Sequence, residues 1–194
     1  KPRGPMEYQQ AVRHMRKNRY KEAVEVMNKL IKAEPKNPNH LRFRAELLRL
    51  WGQTGQARRD YKKMIEIAPD SAVAYNGLAE VELQVGNYES ARQAALKAYE
   101  LAPDEWVAVY NLGMIEDRLG ESSAAVDHLN QALAAKVPDA RHRLLIHLYL
   151  ARAYARQGNM DAARQSVKGV KRHGGGLNEW QVILQSDQAQ TLRD

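Results

Sequence analysis

Apolar residues recur along this chain at helical spacing, and the helices come in pairs. The stretch AYNGLAEVELQVG, ending at Gly86, reads as one amphipathic helix. NYESARQAALKAYELAP follows as a second, from about Tyr88 to Leu101, and Pro103 blocks further helix. Gly86 can take a left-handed conformation without steric cost, so it closes the first helix. The turn between the two is short enough to force them antiparallel. The same grammar repeats: Pro35, Pro69, Pro103 and Pro138 are spaced 34, 34 and 35 residues apart, and Gly52, Gly86, Gly120 and Gly158 are spaced 34, 34 and 38. A period near 34 predicts stacked helical hairpins, each too small to bury its own apolar face.

Five units follow, at about residues 4–37, 38–71, 72–105, 106–139 and 144–173. Asn18 stands at the first turn where the others have glycine, and asparagine is the next best residue for a left-handed cap. Four extra residues, Ala140–Arg143, precede the last unit; they either lengthen a helix or loosen the stacking. Small residues recur where two helices must approach. They are Ala11, Ala45, Ala79, Gly113 and Ala151 in the first helices, and Ala23, Ala57, Ala91, Ala125 and Ala163 in the second. After the repeats, Gly174–Gly176 should break the last helix. Residues 177–194, with Trp180, Ile183, Leu184 and Leu192, read as a helix capping the exposed end.

Charge adds a second pattern. The net charge of +7 hides segregation: residues 1–63 carry +11, residues 64–135 carry −9 and residues 136–194 carry +5. A field of that kind steers acidic partners to one end. There are no cysteines, which excludes disulfides and thiolate metal sites. No run of about 18 apolar residues occurs, so no helical span is expected. The chain begins with Lys1 rather than Met, which suggests a fragment or a processed product. A signal peptide or anchor upstream would not show in it.

The pattern resembles that of the tetratricopeptide repeat (TPR) family. Unit three carries it in Tyr75, Leu78, Ala79, Gly86, Tyr88, Ala91, Ala98 and Pro103. Unit four carries it in Leu112, Gly113, Gly120, Ala125, Leu129 and Ala132, with Pro138 one place late. Unit five carries it in Leu150, Ala151, Tyr154, Gly158 and Ala163. The likeness covers roughly residues 4–173 and implies an all-α, right-handed superhelix of about five helix-turn-helix repeats plus a C-terminal capping helix. Departures are also visible. Gln10 and Arg44 stand where the family has leucine, and Glu82 and Glu116 stand where it has an aromatic residue. Units one and two are therefore either partly open, or closed with the Arg44 stem lying along the hairpin.

No catalytic, metal or cofactor site is expected. His14, His40, His128, His142, His147 and His173 form no HExxH or other zinc-type spacing, and no GxxxxGK[ST] loop occurs. The resemblance implies a non-catalytic interaction scaffold, adaptor or assembly subunit that grips a partner peptide or helix in a concave groove. Carrying the family's groove positions across gives Tyr8, Val12, Arg42, Glu46, Arg49, Asn76, Glu80, Leu83, Tyr110, Met114, Asp117, Leu148 and Arg152. Tyr8 and Val12 stand where the two-carboxylate clamp for chaperone tails needs Lys and Asn, which argues against a receptor of that kind.

Other readings remain open at this level. The basic first third suits an acidic membrane surface beside an unseen N-terminal tether, which would put the domain on the cytoplasmic side. Nucleic acid fits less well, because Arg59, Lys62 and Lys63 are read on the outer side and Arg42 and Arg49 on the inner, without aromatic stacking residues. The chain would also serve as the regulatory domain of a larger enzyme. Self-association through its basic and acidic bands is a further expectation.

Overall fold

The computed structural model describes residues 5–172, and the expected glycine break and capping helix lie outside that range. Among the described residues the chain is all α-helix and loop. The helices are α1 (Pro5–Arg16), α2 (Tyr20–Ala33), α3 (Pro38–Leu50), α4 (Thr54–Ile67), α5 (Ala72–Val85), α6 (Tyr88–Leu101), α7 (Trp106–Leu119), α8 (Ser122–Ala134), α9 (Ala140–Arg156) and α10 (Met160–Arg172). They pack pairwise as five consecutive hairpins. Two compact units result, one holding α1–α6 and ending at Leu101, the other starting at Ala102 and holding α7–α10.

One turn design closes all five hairpins. Gly52, Gly86, Gly120 and Gly158 have φ between 76° and 85°, and Asn18 has φ 58°. The residue after each donates its N–H to the carbonyl five positions back: Arg19 to His14 (2.8 Å), Gln53 to Leu48 (2.8 Å), Asn87 to Glu82 (2.8 Å), Glu121 to Glu116 (2.8 Å) and Asn159 to Tyr154 (2.9 Å). This bond satisfies a carbonyl that the helix end would leave orphaned.

In the first unit α2 packs on α3, α4 on α5, and α3 also touches α5, so each hairpin leans on its neighbour. Ala11, Ala23, Ala45, Ala57 and Ala91 are fully buried in this unit, and Met27, Leu47, Tyr61 and Val81 are buried with them. Gly77 of α5 lies against the Tyr61 ring of α4, where a Cβ would overlap the ring carbons. In the second unit α8 packs on α9 and α7 touches α9. Gly113 does for Leu129 what Gly77 does for Tyr61.

Three of the four sequence departures meet charged partners, while Gln10 is exposed. Arg44 of α3 donates Nε to Asp60 Oδ2 (2.8 Å) and Nη2 to Asp60 Oδ1 (2.7 Å), while Nη1 reaches Asn28 Oδ1 (3.0 Å). Neighbouring Ala45, Leu47 and Leu48 are buried, so this repeat is closed rather than open. Glu82 of α5 accepts from Arg58 of α4, and from Asn87 Nδ2 at 2.8 Å. Burial alone would raise the pKa of Glu82; the hydrogen bonds from Arg58 and Asn87, with the charges of Arg58 and Lys62, outweigh it and hold the carboxyl below its usual range. Glu116 of α7 meets His128 of α8, with Nδ1 2.9 Å from Oε2.

The four extra residues lengthen a helix. They form the first turn of α9, which has 17 residues against 12 to 14 in the others. Asp139 caps it, accepting from His142 N at 2.8 Å.

Candidate functional site

The expected groove residues separate by unit. In the first, Tyr8 and Val12 of α1 and Arg42 and Glu46 of α3 line one open cavity of about 310 Å³, together with Asn39 and Phe43. Arg42 Nε and Glu46 Oε1 pair at 3.2 Å, one helical turn apart. Arg49 Nε lies 3.9 Å from Glu80 Oε2, an ion pair that links α3 to α5. Leu83 is half-buried on α5, and Asn76 is only 8% exposed.

A polar relay fixes the cavity's aromatic wall. Glu34 Oε2 lies 2.8 Å from His40 Nε2, and the Tyr8 hydroxyl meets His40 Nδ1. A carboxylate only accepts, so in the neutral ring Nε2 carries the proton and Nδ1 accepts from Tyr8. The Tyr8 ring also packs edge-on to Phe43, with centroids 5.2 Å apart. Burial and the Glu34 charge both raise the Tyr8 pKa, so its hydroxyl keeps its proton and serves as a donor.

The second unit presents an aromatic cluster at the equivalent helix starts. Trp106 and Tyr110 of α7 and His142 of α9 are mutually edge-packed, with centroids 5.7, 5.0 and 5.4 Å apart. Asp139 holds His142 Nδ1 at 2.8 Å. Met114 is half-buried one turn further along α7.

Three expected groove residues here belong to the packing instead. The Asp117 side chain is fully buried, clamped by Arg152, whose Nε lies at 3.0 Å, and by Arg156, whose Nη1 lies at 3.1 Å. Arg152 is 9% exposed and lies over the Tyr149 ring, and Leu148 is 1% exposed. Two arginines of α9 close on one carboxylate of α7, so the Asp117 carboxylate is not offered outward. Asn76 joins them as a buried position.

Four functional candidates escaped the sequence reading: His40, Phe43, Trp106 and His142. A signal for the histidines was present. Each is the third residue of a first helix after an Asx cap, as in Asn37-Pro38-Asn39-His40 and Asp139-Ala140-Arg141-His142. Each also lies 32 residues after a tyrosine, Tyr8 or Tyr110.

Family models described as tetratricopeptide repeat match residues 8–72 and 110–175, and another of the same description matches residues 70–136. The chain belongs to the tetratricopeptide repeat family. No curated protein sequence matches it. Similar solved structures include MamA from Desulfovibrio magneticus RS-1, at 18% identity and TM-score 0.69, covering 87% of this chain and 93% of that one. A thermophilic TPR protein from Thermus thermophilus, TTC0263, matches at 21% identity and TM-score 0.72, covering 91% and 95%. YrrB, described as a TPR protein with an unusual peptide-binding site, matches at 20% identity and TM-score 0.65, covering 87% and 89%. At these identities the likeness is one of fold.

Proposed function

We propose that this chain is a non-catalytic interaction module whose first helices grip an extended peptide or a helix of a partner protein. The observation that carries the reading is the open cavity between α1 and α3, where Tyr8, Phe43 and Val12 stand beside Arg42 and Glu46. Aromatic anchors ringed by charge are what a partner segment needs for affinity and register. The Tyr8–His40–Glu34 relay holds the anchor in place before a partner arrives, which reduces the ordering cost of binding. In the second unit Trp106, Tyr110 and His142 offer a comparable aromatic surface. The described peptide-binding site of YrrB, a protein of the same fold, supports a peptide as ligand.

The test is a peptide-array screen followed by anisotropy titrations of the peptides that bind. Tyr8→Ala and Tyr110→Ala should each weaken binding about tenfold or more. Peptides whose binding is lost on charge reversal at Arg59 and Lys62 are set aside, since these residues lie outside the α1–α3 cavity. Retained affinity in both tyrosine variants would overturn the reading.

A further inference from the structure

The first unit carries two further cavities away from the α1–α3 groove, and they are copies of each other one repeat apart. One, of about 320 Å³, lies among α2, α3 and α4; the other, of about 440 Å³, lies among α4, α5 and α6. Every residue lining the first has its counterpart 34 positions later lining the second. The wall chemistry is exchanged between them. Val24 and Leu48 of the first become Arg58 and Glu82 of the second, while Arg44 and Asp60 of the first become Leu78 and Ala94. Each cavity therefore has one internal ion pair, Arg44–Asp60 or Arg58–Glu82, and one apolar pair.

The internal pairs neutralise themselves, and a cation is left over in each wall. Arg59 and Lys62 are exposed and stand outside those hydrogen-bonded pairs, the Lys62 charge also acting on Glu82. Uncharged groups stand beside them, Gln56 in one cavity and Ser90 and Gln93 in the other. Lys29 and Lys32 of α2 and Lys63 of α4 are also exposed in this strongly basic stretch.

We infer that these two cavities are a second binding surface, which takes the acidic side chains of an extended polypeptide, one carboxylate to each cavity. Charge complementarity selects the ligand: a Glu or Asp carboxylate meets Lys62 or Arg59, and its stem lies on Leu78 and Ala94 or on Val24 and Leu48. A polypeptide is favoured over a nucleic acid because Tyr75 is the only aromatic side chain in either wall, too little for base stacking.

The probe is a short fluorescein-labelled peptide repeating Glu-Leu-Gly, with a Gln-Leu-Gly peptide as its control. The wild-type chain should bind the Glu peptide about tenfold or more tighter than the Gln peptide. The double variant Arg59→Gln/Lys62→Gln should lose that preference, while Tyr8→Ala should keep it. Both substituted residues are exposed, so an unchanged circular-dichroism melt is expected and confirms folding. Equal binding of the two peptides would overturn the inference. So would a preference that survives the double variant, or one lost in Tyr8→Ala. Tighter binding of a single-stranded oligonucleotide or of phosphatidylserine vesicles, with the same dependence on Arg59 and Lys62, would overturn it in favour of those ligands.

Discussion

At the scale of single residues, fit and charge pairing decide what each position tolerates. Gly77 has no room for a methyl group against Tyr61, so Gly77→Ala should overpack the α4–α5 contact and cost about 1–3 kcal/mol, read from a denaturant melt. The His128–Glu116 pair gives a pH signature. The hydrogen bond to Glu116 raises the His128 pKa above 6.5, against the opposing effect of burial, and the charges of Glu116 and Asp127 add to the rise. Stability from this pair is therefore present in full below about pH 6.5 and is lost as pH rises through the raised folded value. His128→Gln should lower the melting temperature at pH 6 more than at pH 9; an equal loss at both would show that the pair is not the cause. Replacing Arg44 with Met should cost about 2 kcal/mol, because it strands the Asp60 carboxylate, which is 6% exposed. The sequence exposed Arg44, Glu82 and Glu116 as departures from the family pattern. It did not expose their partners: Asp60 and His128 stand on the second helix of the same hairpin and Arg58 on the last helix of the preceding one, and the repeat pattern does not say which residue there will meet them.

At the scale of helices, periodicity was highly legible and local variation less so. Proline and glycine spacing marked the hairpins, and the left-handed role of Asn18 followed from its place in the repeat. The start of α9 did not follow, because four residues can extend a helix or a loop with equal ease until the cap is known. Asp139 decides it: its carboxylate holds both the His142 backbone and the His142 ring. Asp139→Ala should cost about 1 kcal/mol of stability. It should also release His142 from Trp106, seen as a change in tryptophan emission. Four residues turn a helix by about 400°, close to a whole number of turns. Deleting Ala140–Arg143 would thus bring the incoming loop to α9 from nearly the same side, and deleting only two of them would bring it to the opposite side. The shorter deletion should be the more damaging one in a thermal melt.

At the scale of the whole molecule, repeat architecture makes stability a sum of neighbour terms. Ala125→Leu, which overpacks a fully buried position of the second unit, should reduce hydrogen-exchange protection most in α7 and α8 and least in α1 and α2. Uniform loss along the chain would contradict that. The fold was legible from a 34-residue period because each hairpin repeats one packing problem. The candidate surface was legible only in part: Tyr8, Val12, Arg42 and Glu46 do gather around a cavity, but Asp117 and Arg152 neutralise each other, and family position alone cannot distinguish an offered charge from a consumed one. A uniform array has a weakness, since a ligand that fits one repeat fits the next as well and can slide. The exchanged walls of the two cavities among α2–α6 remove that symmetry. An acidic side chain in one cavity would lay its stem on Val24 and Leu48, and in the other on Leu78 and Ala94, so the apolar wall changes place from one cavity to the next. On the proposed surface the first unit would therefore act as a ruler with unequal marks for an elongated ligand.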